Sequence, residues 1–89
     1  MFFTRRCAKM LQIYFYTRDH CTLCDQALDL LKMFENKYPH TIERRDITTN
    51  VDWLRKYRTE IPVLEINGDE LKAEELNIVS LEQFLERHT

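Results

Sequence analysis

The chain has 89 residues, which is enough for one domain with a modest hydrophobic core. Apolar residues make up 44% of it and charged residues 31%, and the formal net charge is −2. Because both signs of charge are mixed along the chain, this composition predicts a globular domain with no nucleic-acid partner. No apolar stretch approaches the length of a membrane span, so we also expect no membrane partner.

The first nine residues, MFFTRRCAK, are basic, and the first acidic residue of the chain is Asp19. A secretory signal needs a longer apolar core than the run Leu11 to Tyr16 offers. We interpret residues 1–9 as a disordered extension or the product of an upstream start, with a very short transit peptide as the alternative. The domain is then residues 10–89, and Cys7 is an incidental exposed thiol.

The first predicted strand is Leu11 to Tyr16, which is rich in β-branched and aromatic residues. Its nearly continuous apolar character is typical of a strand that is covered on both faces. A helix is predicted next, from Thr22 to Lys37, and Pro39 ends it. Its core stripe recurs at helical spacing and consists of Ala27, Leu28, Leu31, Phe34 and Tyr38.

Two cysteines, Cys21 and Cys24, stand where this helix begins. Residues i and i+3 of a helix share a face, and a small adjustment of the first turn brings them to the Cβ separation of a disulfide, about 3.5–4.5 Å. The unpaired N–H groups and the dipole of a helix start favour an anion, so a thiol there ionises more easily than a free one. The spacing predicts a nucleophilic thiolate at Cys21 and a resolving thiol at Cys24.

Half of a zinc site, or simple burial, is the alternative interpretation of this cysteine pair. A structural zinc ion needs four ligands, and the remaining candidates, Cys7, His20, His40 and His88, lack the spacing of a second ligand pair. We therefore predict no metal site. The chain has three cysteines, and the clustering of two of them in one motif indicates a reducing compartment, so we expect a cytoplasmic protein.

The middle of the chain predicts a weak strand and a short helix. The alternating charges of residues 41–47 are typical of an edge strand. Thr48, Thr49 and Asn50 are N-cap candidates for a helix over residues 51–57, whose apolar side would consist of Val51, Leu54 and Tyr57. Trp53 is either part of the core or partly exposed beside the cysteine motif.

The last third of the chain predicts a hairpin and a helix. Residues 61–66 form a strand that is entered through Pro62, Asn67-Gly68 is a strong hairpin turn, and residues 70–72 form the return strand. Residues 73–79 are predicted to be irregular. Ser80 would begin the last helix as a capping box, with Leu81, Phe84, Leu85 and His88 at helical spacing.

The predicted order is β-α-β-α-β-β-α, which is an α/β protein. The two crossover connections make the first strands parallel with right-handed connections, and the hairpin adds an antiparallel edge. We expect a four-stranded mixed sheet with helices on both faces.

The chain resembles the thioredoxin fold over residues 10–88 and, within it, the glutaredoxin-like proteins, including a small bacterial glutaredoxin-related group. The likeness lies in CTLC after the strand LQIYFY, in Ile61-Pro62, and in the hairpin VLEINGDEL. It implies a cis peptide bond at Pro62 beside the cysteine pair, with an ordinary strand-entry proline as the alternative. It also implies that Ile61 offers its backbone N–H and C=O groups to an extended substrate.

The chain departs from ordinary glutaredoxins around the motif. Thr22-Leu23 replace Pro-Tyr, and Arg18, Asp19 and His20 stand where a lysine is usual. The segment LKAEELNIVS contains no glycine, although the family holds glutathione there with a Gly-Gly-x-Asp stretch. We therefore expect no bound cofactor and at most weak glutathione binding. His20 and Arg18 are candidate modulators of the Cys21 thiolate, with a simple exposed loop residue as the alternative for His20.

The leading prediction is a monomeric cytoplasmic thiol–disulfide oxidoreductase. Its partners would be disulfide-containing proteins or small thiols as substrates and a reductase as electron donor. One alternative is an iron–sulfur or metal carrier to which Cys21 supplies a ligand. The other is a redox-inert interaction module of the same fold.

Overall fold

The computed structural model describes residues 10–89, so the expectations for residues 1–9 and Cys7 lie outside the described residues. The strands and helices are, in order, β1 (Leu11–Thr17), α1 (Thr22–Met33), β2 (His40–Asp46), α2 (Val51–Tyr57), β3 (Val63–Ile66), β4 (Asp69–Lys72) and α3 (Ile78–Arg87). Short 3-10 turns occupy Ile47–Thr49 and Ala73–Glu75. The predicted order of strands and helices is confirmed.

Within residues 10–89 the strands form one mixed sheet in the order β2-β1-β3-β4. β1 pairs in parallel with β2, where Tyr16 lies opposite Arg45. β3 runs antiparallel to β1 and places Val63 opposite Tyr16, and β4 runs antiparallel to β3 and places Leu71 opposite Leu64. The prediction that the second strand is an edge strand is confirmed for the described part of the chain, because among residues 10–89 β2 pairs with β1 alone.

One face of the sheet carries the larger core, which α1 and α3 cover. Strand side chains alternate between faces, so Leu11, Ile13 and Phe15 of β1 all enter this core. The two helices add buried residues at helical spacing, among them Ala27, Leu31, Leu81, Phe84 and Leu85. Packing these apolar side chains together is the main source of the stability of the domain.

The opposite face carries a smaller, aromatic cluster beneath α2. Tyr16, Ile47, Tyr57 and Val63 are buried there, and the rings of Tyr16 and Tyr57 stack with centroids 4.2 Å apart. Trp53 is half-buried and meets the Tyr16 ring edge-on. Helices therefore lie on both faces of the sheet, as predicted.

The hairpin between β3 and β4 also follows the prediction. Asn67 has φ 51° and Gly68 has φ 85°, so both turn residues adopt the left-handed conformation. Two successive residues of this kind match the twist of antiparallel strands, which is why Asn-Gly is favoured at this position.

The first helix is shorter than predicted. It ends at Met33, and Phe34 is the C-cap, with its N–H group directed to the carbonyls of Leu31 and Lys32. Residues 34–37 form turns instead of a further helical turn. The core stripe could not reveal this, because Phe34 and Tyr38 remain buried after the chain leaves the helix.

The predicted apolar side of the second helix is wrong in two of its three members. Val51 is 63% exposed and Leu54 is 39% exposed, and only Tyr57 is buried. The large Tyr57 and Trp53 side chains make the contacts with the sheet, and the Val51 and Leu54 side chains are left exposed.

The cap of the last helix was also predicted at the wrong residue. Asn77 is the N-cap of α3, and its Oδ1 accepts hydrogen bonds from the backbone N–H groups of Val79 and Ser80, both at 2.9 Å. Ser80 completes the box, because its Oγ accepts the N–H of Asn77 at 2.9 Å. Asn50, one of the three candidates, is the N-cap of α2.

None of the helices that the structure describes combines the length and the apolar character needed to cross a bilayer.

Candidate active site

The cysteine pair lies where β1 passes into α1. Cys21 is the N-cap of α1 with an extended backbone, φ −111° and ψ 102°, and Cys24 lies in the first turn of that helix. The Cα atoms of the two cysteines are 5.2 Å apart, and their sulfur atoms are at disulfide-bonding distance. The structure therefore brings together the two residues that the motif predicts to act together.

The two sulfurs differ in their surroundings. Cys21 is partly exposed, whereas Cys24 is 2% exposed and belongs to the larger core. The backbone N–H of Cys24 donates a hydrogen bond to the Sγ of Cys21 at 3.2 Å. An unpaired helix N–H group beside a sulfur stabilises negative charge on it. The first cysteine is thus the one that can meet a substrate, and it is also the one whose ionised form the backbone favours.

The loop before the cysteines holds the two candidate modulators. His20 is exposed and has φ 58°, a left-handed conformation that turns the chain into α1. Arg18 is exposed and borders a shallow hollow together with Arg44 and Asp46, at the carboxyl ends of β1 and β2. Within residues 10–89, no hydrogen bond or ion pair joins either side chain to Cys21, so the structure brings neither of them onto the thiol.

The Ile61–Pro62 peptide bond is cis, as the resemblance implies. Pro62 is buried and borders the same hollow as Leu23 and Ala27, which places it beside the first turns of α1. Strand β3 begins only at Val63, two residues later than predicted. The strand begins later partly because the turn before it extends to Ile61, whose N–H donates a hydrogen bond to the carbonyl of Tyr57 at 3.1 Å.

That hydrogen bond changes the expectation for substrate binding at Ile61. The backbone N–H group is already used by Tyr57, so an incoming extended segment could pair only with the Ile61 carbonyl. The side chain of Ile61 is half-buried and contacts both core clusters, which holds this stretch of backbone in place.

Sequence reasoning missed the apolar surface beside the cysteines. Leu23 stands between them, is 58% exposed, and borders a hollow that Leu30, Ala73 and Leu76 also line. The sequence does contain a sign of this surface, because Leu23 and Leu30 are one helical heptad apart and lie to one side of the predicted core stripe. A pair of leucines in that position indicates a second apolar face on the helix.

A polar network on the α2 face was also missed. The guanidinium of Arg45 donates to the Tyr16 hydroxyl at 2.8 Å, and that hydroxyl donates to Glu65 at 2.9 Å. The Tyr57 hydroxyl donates to Glu70 at 2.6 Å. Burial and these carboxylate partners raise the pKa of both tyrosines, so they remain neutral hydrogen-bond donors. These contacts involve residues of all four strands and of α2, and they do not include the cysteine pair.

Within residues 10–89, no group of three or more His, Cys, Asp and Glu side chains is arranged so that it could hold a metal ion.

The sheet order and the cysteine pair at the start of the first helix define a protein of the thioredoxin fold with a redox-type site. Solved structures agree on the fold. Thioredoxin from Fasciola hepatica superimposes with a TM-score of 0.59 at 20% identity, covering 94% of this chain and 86% of that one. Mitochondrial thioredoxin 3 from Saccharomyces cerevisiae in its oxidized form gives 0.59 at 19% identity, covering 93% and 85%.

The sequence places the chain more narrowly. It matches the family described as Glutaredoxin-like domain (DUF836) over residues 12–86, and the chain belongs to that family. A structural-genomics target protein from X. campestris, XcR50, is similar to it with a TM-score of 0.74 at 26% identity, covering 86% of this chain and 99% of that one.

Proposed function

We propose that this chain is a thiol–disulfide oxidoreductase that reduces disulfides of proteins or small molecules through Cys21 and Cys24. The observation that carries the proposal is the asymmetry of the pair, with an accessible sulfur at the helix N-cap and a buried sulfur within bonding distance of it. This is the arrangement that a two-step exchange reaction needs.

The reaction begins with both cysteines reduced and Cys21 ionised. The Cys21 thiolate attacks one sulfur of the substrate disulfide, which forms a mixed disulfide and releases the other substrate sulfur as a thiolate that takes up a proton. Cys24 then loses its proton and attacks the Cys21 sulfur. The second substrate sulfur leaves and is protonated, and the protein retains the Cys21–Cys24 disulfide. Two electrons have passed from the protein to the substrate, whose two thiols have taken up the proton released by Cys24 and the one that Cys21 had already released to the solvent.

Glutathione is a poor candidate for the donor that restores the dithiol. It presents two carboxylates and one ammonium group, and binding it beside Cys21 would need cations and closely approaching backbone donors. The segment that follows β4 instead carries the exposed carboxylates of Glu74 and Glu75. We propose that a reductase-coupled dithiol system is the electron donor and that the protein works as a monomer in the reducing cytoplasm.

The proposal is tested with serine variants of the two cysteines. Cys21→Ser should abolish reduction of a small aromatic disulfide, while Cys24→Ser should retain at most a monothiol activity and accumulate the mixed disulfide with substrate. Cys7→Ser serves as the matched control and should keep the wild-type rate. Wild-type turnover by the Cys21→Ser protein would overturn the assignment of roles. Isolation of partners trapped on Cys24→Ser would identify the substrates.

A further inference from the structure

An apolar strip extends from the cysteine pair along the outer side of α1. Leu23 and Met33 of α1 are 58% and 62% exposed, and Ile78 and Val79 at the start of α3 are 46% and 61% exposed. Large apolar side chains that are exposed together in this way mark a binding surface more often than scattered single ones.

These side chains border two hollows that follow one another. Leu23, Leu30 and Leu76 line the hollow beside Pro62, and Met33, Ile78 and Val79 line the next one. Leu30 and Met33 are three residues apart on one helix, and Leu76 and Ile78 are two residues apart in the chain, so the two hollows are neighbours. We call the two hollows together the α1–α3 groove. At the helical rise per residue it is about 15 Å long from Leu23 to Met33, which equals about five residues of extended chain.

The charge in the α1–α3 groove is negative. Among the described residues, the charged side chains that line its two hollows are Glu82 and Glu86, and no lysine or arginine lines them. Lys37 forms an ion pair with Glu82 from outside the lining and offsets its charge. Among the described residues Glu86 has no such ion pair, so it supplies the unbalanced negative charge of the groove. An apolar groove with carboxylates as its charged groups suits a partner that has both apolar and basic side chains.

We propose that the α1–α3 groove binds a segment of the substrate protein that carries large aliphatic side chains together with lysine or arginine, within about five residues of the substrate cysteine. The groove begins at Leu23 between the two cysteines, so the residues that flank a disulfide attacked by Cys21 meet it first. The identity of this partner rests on the proposed function. Binding of the segment itself does not need the redox chemistry and can be measured separately.

The direct test measures binding of fluorescently labelled, cysteine-free synthetic peptides to the full chain with its disulfide intact. One peptide contains leucine and arginine, the second leucine and glutamate, and the third serine and arginine. The leucine–arginine peptide should bind about tenfold more tightly than either of the others, because both apolar contact and charge are needed. Equal affinity for all three peptides would overturn the proposal.

Variants locate the binding surface. The double substitution Met33→Ser and Val79→Ser should weaken the leucine–arginine peptide about fivefold or more, because it removes exposed apolar contacts without opening the core. Val51→Ser is the matched control, since Val51 is 63% exposed at the start of the helix on the other face of the sheet, and binding should not change. Glu86→Gln should reduce the preference for arginine over glutamate. An unchanged affinity in the Met33–Val79 variant with an unaltered melting temperature would overturn the proposal.

Two further measurements separate the alternatives. The Met33–Val79 variant should reduce a small aromatic disulfide at the wild-type rate. When the same disulfide is part of a leucine–arginine peptide, the variant should reduce it about fivefold more slowly than the wild-type protein does. If the wild-type protein reduces neither disulfide, the proposed function is wrong. The peptide affinities would still show whether the α1–α3 groove binds the proposed segment.

A dimer in sedimentation that the double substitution dissociates would assign the groove to a second copy. A peptide affinity raised by Arg5→Glu and Arg6→Glu would assign it to the basic start of this chain. Either result would overturn the proposal.

Discussion

The backbone N–H of Cys24 donates a hydrogen bond to the Sγ of Cys21 at 3.2 Å. One residue therefore supplies both the group that stabilises charge on the first sulfur and the second sulfur of the pair. The arrangement follows from Cys21 being the N-cap of α1, because an N-cap side chain accepts the N–H of the residue three positions later. Any residue at the N-cap that is not a sulfur or oxygen acceptor would leave that N–H without its partner.

We predict that the Cys21 thiol is more acidic than a free cysteine and reacts first. In the reduced protein, the ultraviolet absorbance of the thiolate and the rate of alkylation should both rise at a pH below about 8.5, the ordinary value for cysteine. Both measurements use the Cys7→Ser background, so that Cys7 does not contribute, and adding Cys21→Ser there should make alkylation slow, since Cys24 is 2% exposed. A Cys21 thiol that titrates at or above the ordinary value would contradict the N-cap account.

We predict that a dithiol system supports turnover better than glutathione does. Disulfide reduction should be compared with glutathione and its reductase, and with a thioredoxin-reductase system or dithiothreitol. Glu74→Lys offers a matched variant, because Glu74 is exposed and its charge is of the sign that repels glutathione. The substitution should raise the glutathione-driven rate by about threefold, the range expected for one exposed charge, and leave the dithiothreitol-driven rate unchanged. Faster turnover with glutathione in the wild-type protein would show that this segment does bind it.

We predict that Asp69 contributes stability that is lost in acid. Its Oδ2 lies 2.8 Å from His88 Nε2 and accepts hydrogen bonds from Arg87, and these contacts lower the pKa of Asp69. The unfolded chain then takes up the proton at a higher pH than the folded one, so this contribution is complete above about pH 4 and falls as the pH drops through the lowered pKa. Asp69→Asn should be less stable than wild type at pH 7.

The same variant should lose less stability than wild type on going to about pH 3. The measurement is the urea midpoint at both pH values, with Asp29→Asn, an exposed aspartate on α1, as the control. If Asp69→Asn and wild type show the same change in midpoint between the two pH values, the hydrogen bonds to Asp69 do not carry the acid dependence.

We predict that removing the Tyr57 hydroxyl destabilises the α2 face. Tyr57 is 2% exposed, and its hydroxyl donates to Glu70 at 2.6 Å. Tyr57→Phe should lower the free energy of unfolding by about 1.5–3 kcal/mol, the range for a hydrogen bond to a charged group. Glu70→Gln keeps an acceptor at the same place and should cost less. Denaturation midpoints for the two variants decide this, and a larger loss in Glu70→Gln would mean that the ion pair with Lys56 matters more.

Local sequence was enough to predict the features that depend on neighbouring residues. Asn67-Gly68 predicts its turn because both residues tolerate positive φ, and the observed angles are 51° and 85°. The cysteine spacing predicts two sulfurs within bonding distance because the start of one helix positions both residues, Cys21 at the N-cap and Cys24 in the first turn. The limits of α2 were predicted for the same reason, since its start depends on capping residues that adjoin it.

Tertiary structure decided the features that depend on residues distant in the chain. Val51 and Leu54 have the spacing of a buried face, yet they are exposed because Tyr16 of β1 fills the space beneath α2 by stacking on Tyr57. The spacing of apolar residues in one segment does not show how much space is left by the segment that packs against it. The α1–α3 groove arises in the same way, because its two walls lie about fifty residues apart in sequence and meet only when both helices pack on one face of the sheet.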